Sequence, residues 1–168
     1  MNYAQIRKFD IANGPGIRAT LFVTGCTHKC PGCFNAKFMN FDYGTQWSPE
    51  IEDEFMQMIN DEQIKGVTIL GGEPLDQIQD DDLLKLLLRI KNETGKNIWI
   101  YSGYTYEQII ADAAKKEIIS HCDVLVDGLF IKELRSLKLK FKGSSNQRII
   151  DILASTTAGE VKILAGYE

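Results

Sequence analysis

Three of the four cysteines, Cys26, Cys30 and Cys33, fall within the stretch "GCTHKCPGCFN". Their spacing is Cys-x3-Cys-x2-Cys, and an odd number of thiols does not suit disulfides, which consume them in pairs. A structural zinc site takes four ligands, usually as two spaced pairs, and no second pair follows. Three thiolates instead suit a four-iron, four-sulfur cluster with one iron left open to a ligand, since clusters that only carry electrons normally take four. A zinc reading would need His28 or Cys122 as the fourth ligand. His28 reads rather as a loop residue or a donor to a sulfur. Cys122 opens the apolar run "CDVLVDG" and reads as a small buried hydrophobe.

A second constellation is "GGEP", Gly71 to Pro74. Two glycines permit torsions and close backbone approaches closed to other residues, and Glu73 offers a carboxylate to a cation. Alone, such a turn is only a turn. It gains meaning from its place after an apolar run and downstream of the cysteines.

The elements that must position these residues can be read from periodicity. "ATLFVTG" (19–25), "GVTILGG" (66–72), "NIWIYSG" (97–103) and "CDVLVDG" (122–128) are short apolar runs ending in glycine turns, the pattern of buried strands. Between them lie helical stretches. One starts at Ser48, a helix-capping residue followed by Pro49 and acids, with Ile51, Phe55, Met58 and Ile59 on one stripe. Another carries leucines over residues 80–93, and a third runs from Thr105 to Lys116. Alternation of strand and helix predicts an α/β fold with a mostly parallel sheet. The expected architecture is a partial, open (β/α) barrel, because a complete barrel needs roughly 200 residues or more. In such folds ligands gather at the carboxyl ends of the strands, and here those ends are "GC", "GGEP", "SGY" and "DGLF".

The chain has 168 residues, is 44% hydrophobic and 25% charged, and has a net charge of −4. This predicts one domain over residues 1–168, with no electrostatic case for nucleic acid. No apolar run is long enough for a membrane span, and "MNYAQIRKFD" lacks the pattern of a secretion signal. A reducing cytoplasm is the expected setting, where clustered thiols serve as ligands.

Further stretches sharpen the reading. "DIANGPGIRATLFVTGCTHKCPGCFN" (10–35), "IWIYSGYTYEQI" (98–109), "DVLVDGLF" (123–130) and "FKGSSNQRIID" (141–151) occur in that order. The cysteine spacing resembles that of the radical S-adenosylmethionine superfamily. The longer stretches resemble the activating proteins of anaerobic ribonucleoside-triphosphate reductases, over nearly the whole chain to about Asp151.

That resemblance implies one 4Fe-4S cluster on Cys26, Cys30 and Cys33, with S-adenosylmethionine as second cofactor. The methionine end would be held at the turn of Gly71, Gly72 and Glu73. Adenine contacts would come from Gly32, Cys33, Phe34 and Asn35, although Gly32 stands where the superfamily commonly has an aromatic residue. Asp127 is a further candidate for the cofactor site, with a helix-capping or turn carboxylate as its plainer account. The implied reaction is reductive cleavage to a 5'-deoxyadenosyl radical, which removes a hydrogen atom from a backbone glycine. Implied partners are the large catalytic subunit of the reductase and a flavodoxin-type reductant.

Alternatives remain open at the level of sequence. They are an activase of another glycyl-radical enzyme such as pyruvate formate-lyase, a radical enzyme acting on a metabolite, an iron-sulfur electron carrier, or a zinc-binding interaction module. "NGPGIR" (13–18) reads equally as a turn entering a strand or as a contact to partner or cofactor. Lys132 to Lys142, "KELRSLKLKFK", reads as a solvated strand face able to steer an acidic partner. "SSNQRIID" reads as a capped helix start, or as polar groups (Asn146, Gln147, Arg148) for a partner. A terminal strand is expected near the C-terminus.

Overall fold

The computed structural model describes residues 1–168. Its centre is a seven-stranded sheet of β1 (Asn2–Asp10), β2 (Ile17–Val23), β3 (Thr45–Gln46), β4 (Ile64–Gly71), β5 (Asn97–Tyr101), β6 (Val124–Asp127) and β7 (Arg148–Asp151). The spatial order is β3-β1-β2-β4-β5-β6-β7. β2, β4, β5 and β6 are mutually parallel, while β1 and β7 flank them antiparallel. The mixed α/β class and the parallel centre agree with the sequence. The outer strands β1, β3 and β7, of which β3 and β7 form the edges, carry no such signal in the sequence.

Five helices connect or follow the strands: α1 (Pro49–Ile59), α2 (Asp82–Thr94), α3 (Tyr106–Ile110), α4 (Ala113–Ser120) and α5 (Ile152–Ala158). Ser48 caps α1 through its side chain, with Pro49 in the first turn as expected. The strand order advances in one direction from β2 to β6. Right-handed crossovers therefore deliver each connecting helix to the same face. That face holds the main core. Ala19, Leu21 and Val23 of β2, with Val67 and Ile69 of β4 and Ile98 and Ile100 of β5, pack against Phe55, Leu83, Leu86, Leu87, Ile90 and Ile118. Alternate residues face the other way, where Phe22 and Leu70, and Trp99, Val124 and Val126, form smaller clusters with loops and the C-terminal tail. Burial on both faces is why the central strands read as continuous apolar runs.

Four expectations are corrected. The helix predicted over residues 105–116 is two helices, because Asp112 turns its side chain onto the backbone N–H groups of Ala114 and Lys115 and starts α4 afresh. Residues 132–142 form no strand; they open with a 3-10 turn at Lys132–Leu134 and continue as an irregular loop. Arg148 to Asp151 is a strand, not a helix start, since Ile149 and Ile150 pair with Val126 and Leu125. The cap falls one step later, where Asp151 accepts from Ala154 at the start of α5. No terminal strand follows; the tail makes a single bridge between Ile163 and Ile150.

The "NGPGIR" segment has a structural role. Arg18 is fully buried. Its guanidinium donates to the Thr68 hydroxyl at 2.7 Å, the Val67 carbonyl at 2.7 Å and the Asn97 side-chain oxygen at 2.9 Å. Burial among neutral acceptors pulls its pKa down to about 10. Gly66 makes the space, since a Cβ there would lie 2.6 Å from the Arg18 Nη1 and 2.6 Å from the Asn97 Oδ1. Gly66→Ala is expected to destabilise the protein by about 1–3 kcal/mol through overpacking, read as a lowered urea midpoint. An unchanged midpoint would contradict this packing.

Candidate metal centre

The cysteine loop leaves β2 at its carboxyl end and crosses the face of the sheet opposite the α-helices, where the 3-10 turn Ala36–Phe38 sets Phe38 against Phe22 and Leu70. Cys26, Cys30 and Cys33 are each partly buried and line one cavity of about 610 Å³. Backbone donors converge on the sulfurs. The Asn35 N–H reaches the Cys33 Sγ at 3.4 Å, those of His28 and Lys29 face the Cys26 thiol, and that of Phe130 faces Cys30. The loop curls through left-handed backbone at Lys29 (φ 53°) and Gly32 (φ 72°). A non-glycine residue held there marks a constrained loop. Burial pushes the Cys26 thiol up to about 11 and raises that of Cys30. Thiolates in this setting form when a cation compensates them, as on binding metal.

Two buried carboxylates anchor this loop. Glu73 is 1% exposed. Its Oε1 accepts from the Leu75 N–H at 3.0 Å and the Ser102 hydroxyl at 2.9 Å; its Oε2 accepts from the Gly103 N–H at 2.7 Å and from His28 Nε2 at 2.9 Å. Asp76 accepts from both the N–H and the hydroxyl of Thr27 at 2.9 Å, and from the Tyr104 hydroxyl at 2.8 Å. The bond to Glu73 raises the pKa of His28, favouring its charged form. Residues from the ends of β2, β4 and β5 are thus tied into one unit (the His28 ring also packs edge-on against Tyr104, centroids 4.4 Å apart).

The two glycines of "GGEP" serve the same junction. A Cβ on Gly71 would collide with the Val23 carbonyl, and one on Gly72 with the Gly25 carbonyl. The Gly72 and Glu73 N–H groups instead donate to those carbonyls, each at 2.8 Å. The close approach these glycines allow is therefore backbone to backbone, between the ends of β2 and β4.

Of the predicted residues, Cys26, Cys30, Cys33, Phe34, Asn35, Gly71, Gly72 and Glu73 all line the large cavity. Gly32 is not on its wall; the stem of Lys132 lies over it, 3.2 Å from where a Cβ would stand. Asp127 borders a neighbouring cavity of about 580 Å³. Its carboxylate accepts from the Tyr106 N–H at the start of α3 and pairs with Arg148 at 2.5 Å, which fits the plainer capping account. Sequence reasoning missed Tyr101, Ser102, Gly103, Phe130 and Phe141 on the wall. Ser102, Gly103 and Phe130 stood in the quoted strand ends "SGY" and "DGLF", whereas Phe141 belongs to the alternating stretch read as a solvated strand face. His28 serves Glu73 rather than a sulfur.

Two tests follow from this layout. Cys122 lies in the helix-side core, its Sγ 3.7 Å from the Ile118 carbonyl, on the other side of the sheet from the cavity. Cys122→Ala is expected to lower stability by about 1 kcal/mol and leave iron content unchanged; loss of iron would give Cys122 a ligand's role. Arg148 bonds Glu107 in a two-pronged pair at 2.8 and 3.0 Å and holds its carboxyl down to about 2. With a folded-state pKa below the ordinary value, the pair's contribution is present above about pH 4.5 and lost as pH falls toward 2. Glu107 is 58% exposed, so solvent screening keeps the effect small. Glu107→Gln should flatten the fall in urea midpoint between pH 6 and pH 3; an identical fall would dismiss the pair.

The donor set fits an iron-sulfur cluster: three thiols on one wall, with N–H groups aimed at them. No three His, Cys, Asp or Glu side chains converge on a single point as one metal ion would require. A cluster makes no such demand, because each thiolate meets a different iron.

Residues 12–150 match the family described as "4Fe-4S single cluster domain". The chain is 42% identical over 150 residues to the anaerobic ribonucleoside-triphosphate reductase-activating protein of Escherichia coli K12, covering 88% of this chain and 96% of that one. It belongs to the family of anaerobic ribonucleoside-triphosphate reductase-activating proteins. The activating protein of Pasteurella multocida is 40% identical over 152 residues, with 89% of this chain and 96% of that one aligned. That of phage T4 is 37% identical over 150 residues, covering 89% and 93%. The family match over residues 12–150 takes in both the cysteine loop and the Glu73 junction. No helix here is long and apolar enough to cross a membrane.

Proposed function

We propose that this protein activates an anaerobic ribonucleoside-triphosphate reductase by radical S-adenosylmethionine chemistry. The observation that carries the reading is the meeting of three half-buried thiols and the Gly71–Glu73 turn on one cavity wall. The names of its relatives support the choice of target.

A reduced 4Fe-4S cluster held here would supply the single electron that cleaves S-adenosylmethionine to methionine and a 5'-deoxyadenosyl radical, able to take a hydrogen atom from a glycine Cα. The chain supplies the setting. Cys26, Cys30 and Cys33 would hold the cluster through their thiolates, and the loop offers no fourth cysteine. Glu73 and Asp76 fix the cysteine loop relative to the ends of β4 and β5, so that reacting groups meet in a defined geometry. The Gly71–Gly72 backbone lines the same cavity as these thiols. Phe34 and Asn35 contribute wall on the cysteine side. A volume of about 610 Å³ lies within the range of small-molecule sites. A flavodoxin-type protein is the expected reductant, and the cytoplasm the expected compartment.

The test is anaerobic mixing of the cluster-loaded protein, S-adenosylmethionine, a reductant and the reductase large subunit. A glycyl-radical doublet in electron paramagnetic resonance, with formation of 5'-deoxyadenosine and methionine, is the expected result. Cleavage without a doublet on a competent reductase would reassign the target to another glycyl-radical enzyme; no cleavage at all would remove the radical chemistry.

A further inference from the structure

Residues 129–142 leave β6 and form a lip over the outer side of the cysteine loop. Lys132 lies over Gly32, Phe130 packs on Phe34 at 5.1 Å between centroids, and the Arg135 guanidinium stacks 4.8 Å above the Phe34 ring. The lip is built rather than loose. The Ser145 N–H donates to the Leu134 carbonyl at 3.0 Å, the Ile131 N–H to the Ser144 hydroxyl at 3.1 Å, and the Tyr101 hydroxyl to the Phe141 carbonyl at 2.8 Å.

Its sequence alternates. Leu137, Leu139 and Phe141 line the large cavity, as does Lys142, which donates to the Gln147 carbonyl at 3.1 Å, whereas Lys138 and Lys140 are exposed and stand off its wall. Leu137 is 88% exposed. Lys132, Arg135, Lys138, Lys140 and Lys142 oppose a single acid, Glu133, in a chain whose net charge is −4. A concentrated positive rim on a negative molecule, continuous with an apolar wall leading toward the cysteines, is suited to a chain segment with two characters. Its flanks must be acidic and its inserted part small and apolar. Nucleic acid fits poorly, because phosphates would not cover Leu137 and would meet an acidic molecule elsewhere.

We propose that this lip is the docking surface for an acidic peptide segment flanking the reactive glycine of the reductase, with Lys138 and Lys140 steering it and Leu137 and Leu139 packing on it. The proposal rests on the activase reading above. Charge steering acts chiefly on association and weakens with salt.

The test compares wild-type protein with Lys138→Glu/Lys140→Glu, both cluster-loaded, in association with the reductase large subunit at low and high salt. Wild-type association should slow with salt. The doubly reversed variant should associate about tenfold more slowly at low salt and show little salt dependence. Glycyl-radical yield should fall with it, while cleavage of S-adenosylmethionine driven by a chemical reductant stays at the wild-type rate. Lys138→Arg/Lys140→Arg should restore association. A variant that binds and activates the reductase as wild type overturns this surface and leaves the activase reading standing. So does one impaired only in accepting electrons from the flavodoxin-type donor, or only in self-association. If wild type cleaves S-adenosylmethionine yet never associates with the reductase, the activase reading fails and this proposal with it.

Discussion

Cys26→Ala, Cys30→Ala and Cys33→Ala are each expected to strip the protein of its visible absorbance and most of its iron, and to reduce S-adenosylmethionine cleavage by more than about 100-fold. The size follows from a comparison. Even a hydrogen-bonding partner behind a metal ligand is worth about 10–100-fold in affinity or activity, and a ligand should exceed that. Each thiol sits on the same cavity wall with backbone N–H groups directed at it, so none is a spare. The fold should survive, because these residues are only partly buried and the main core lies across the sheet. The measurement is iron per chain with absorbance after anaerobic reconstitution, beside the thermal midpoint of the unloaded protein. A variant that keeps a full complement of iron would take that cysteine off the ligand set.

Glu73→Gln is expected to destabilise the metal-free protein by about 2–4 kcal/mol. All four directions around the carboxylate are used: by the Leu75 and Gly103 N–H groups, the Ser102 hydroxyl and His28. An amide keeps one oxygen and turns the other position into a donor, which must face donors already present. Hydrogen bonds to a charged group contribute about 1.5–3 kcal/mol each, and leaving a buried donor unmet costs a further 1–3 kcal/mol. The loss should be local as well as global, with faster hydrogen exchange of the amides from Cys26 to Cys33, since His28 is the tie from that loop. Urea unfolding and hydrogen exchange without any cofactor check this. If Glu73 serves mainly to receive the cation of a ligand, the metal-free protein will be unaltered and only S-adenosylmethionine binding will weaken.

The cysteines are conspicuous by type and spacing, the pattern that a cluster held by a short loop would need. The role of Glu73 is not. Its position beside two glycines suggested a carboxylate open to a ligand, and only packing revealed that protein donors occupy it. His28 went the same way: adjacent to the cysteines in sequence, it turns instead toward an acid 45 residues distant. Arg18 carried no signal beyond its place in "NGPGIR", since its acceptors come from β4 and β5.

Secondary structure followed the same division. Strands β2, β4, β5 and β6 and helices α1 and α2 were legible, being long apolar or amphipathic runs with local start and stop signals. The break between α3 and α4 turned on a single side-chain competition at Asp112. The strand β7 turned on a partner, β6, that local propensity cannot see.

By itself, then, the sequence determined the class of fold, the parallel centre of the sheet and the three thiols, because each depends on residue type and short-range spacing. Tertiary structure alone decided that the helices share one face and leave the other to the cysteine loop, that Glu73 and Asp76 tie that loop to two strand ends, and that a basic lip overhangs it. Those depend on which distant backbone groups are brought within hydrogen-bond reach, and the order of strands in space, rather than in the chain, sets that.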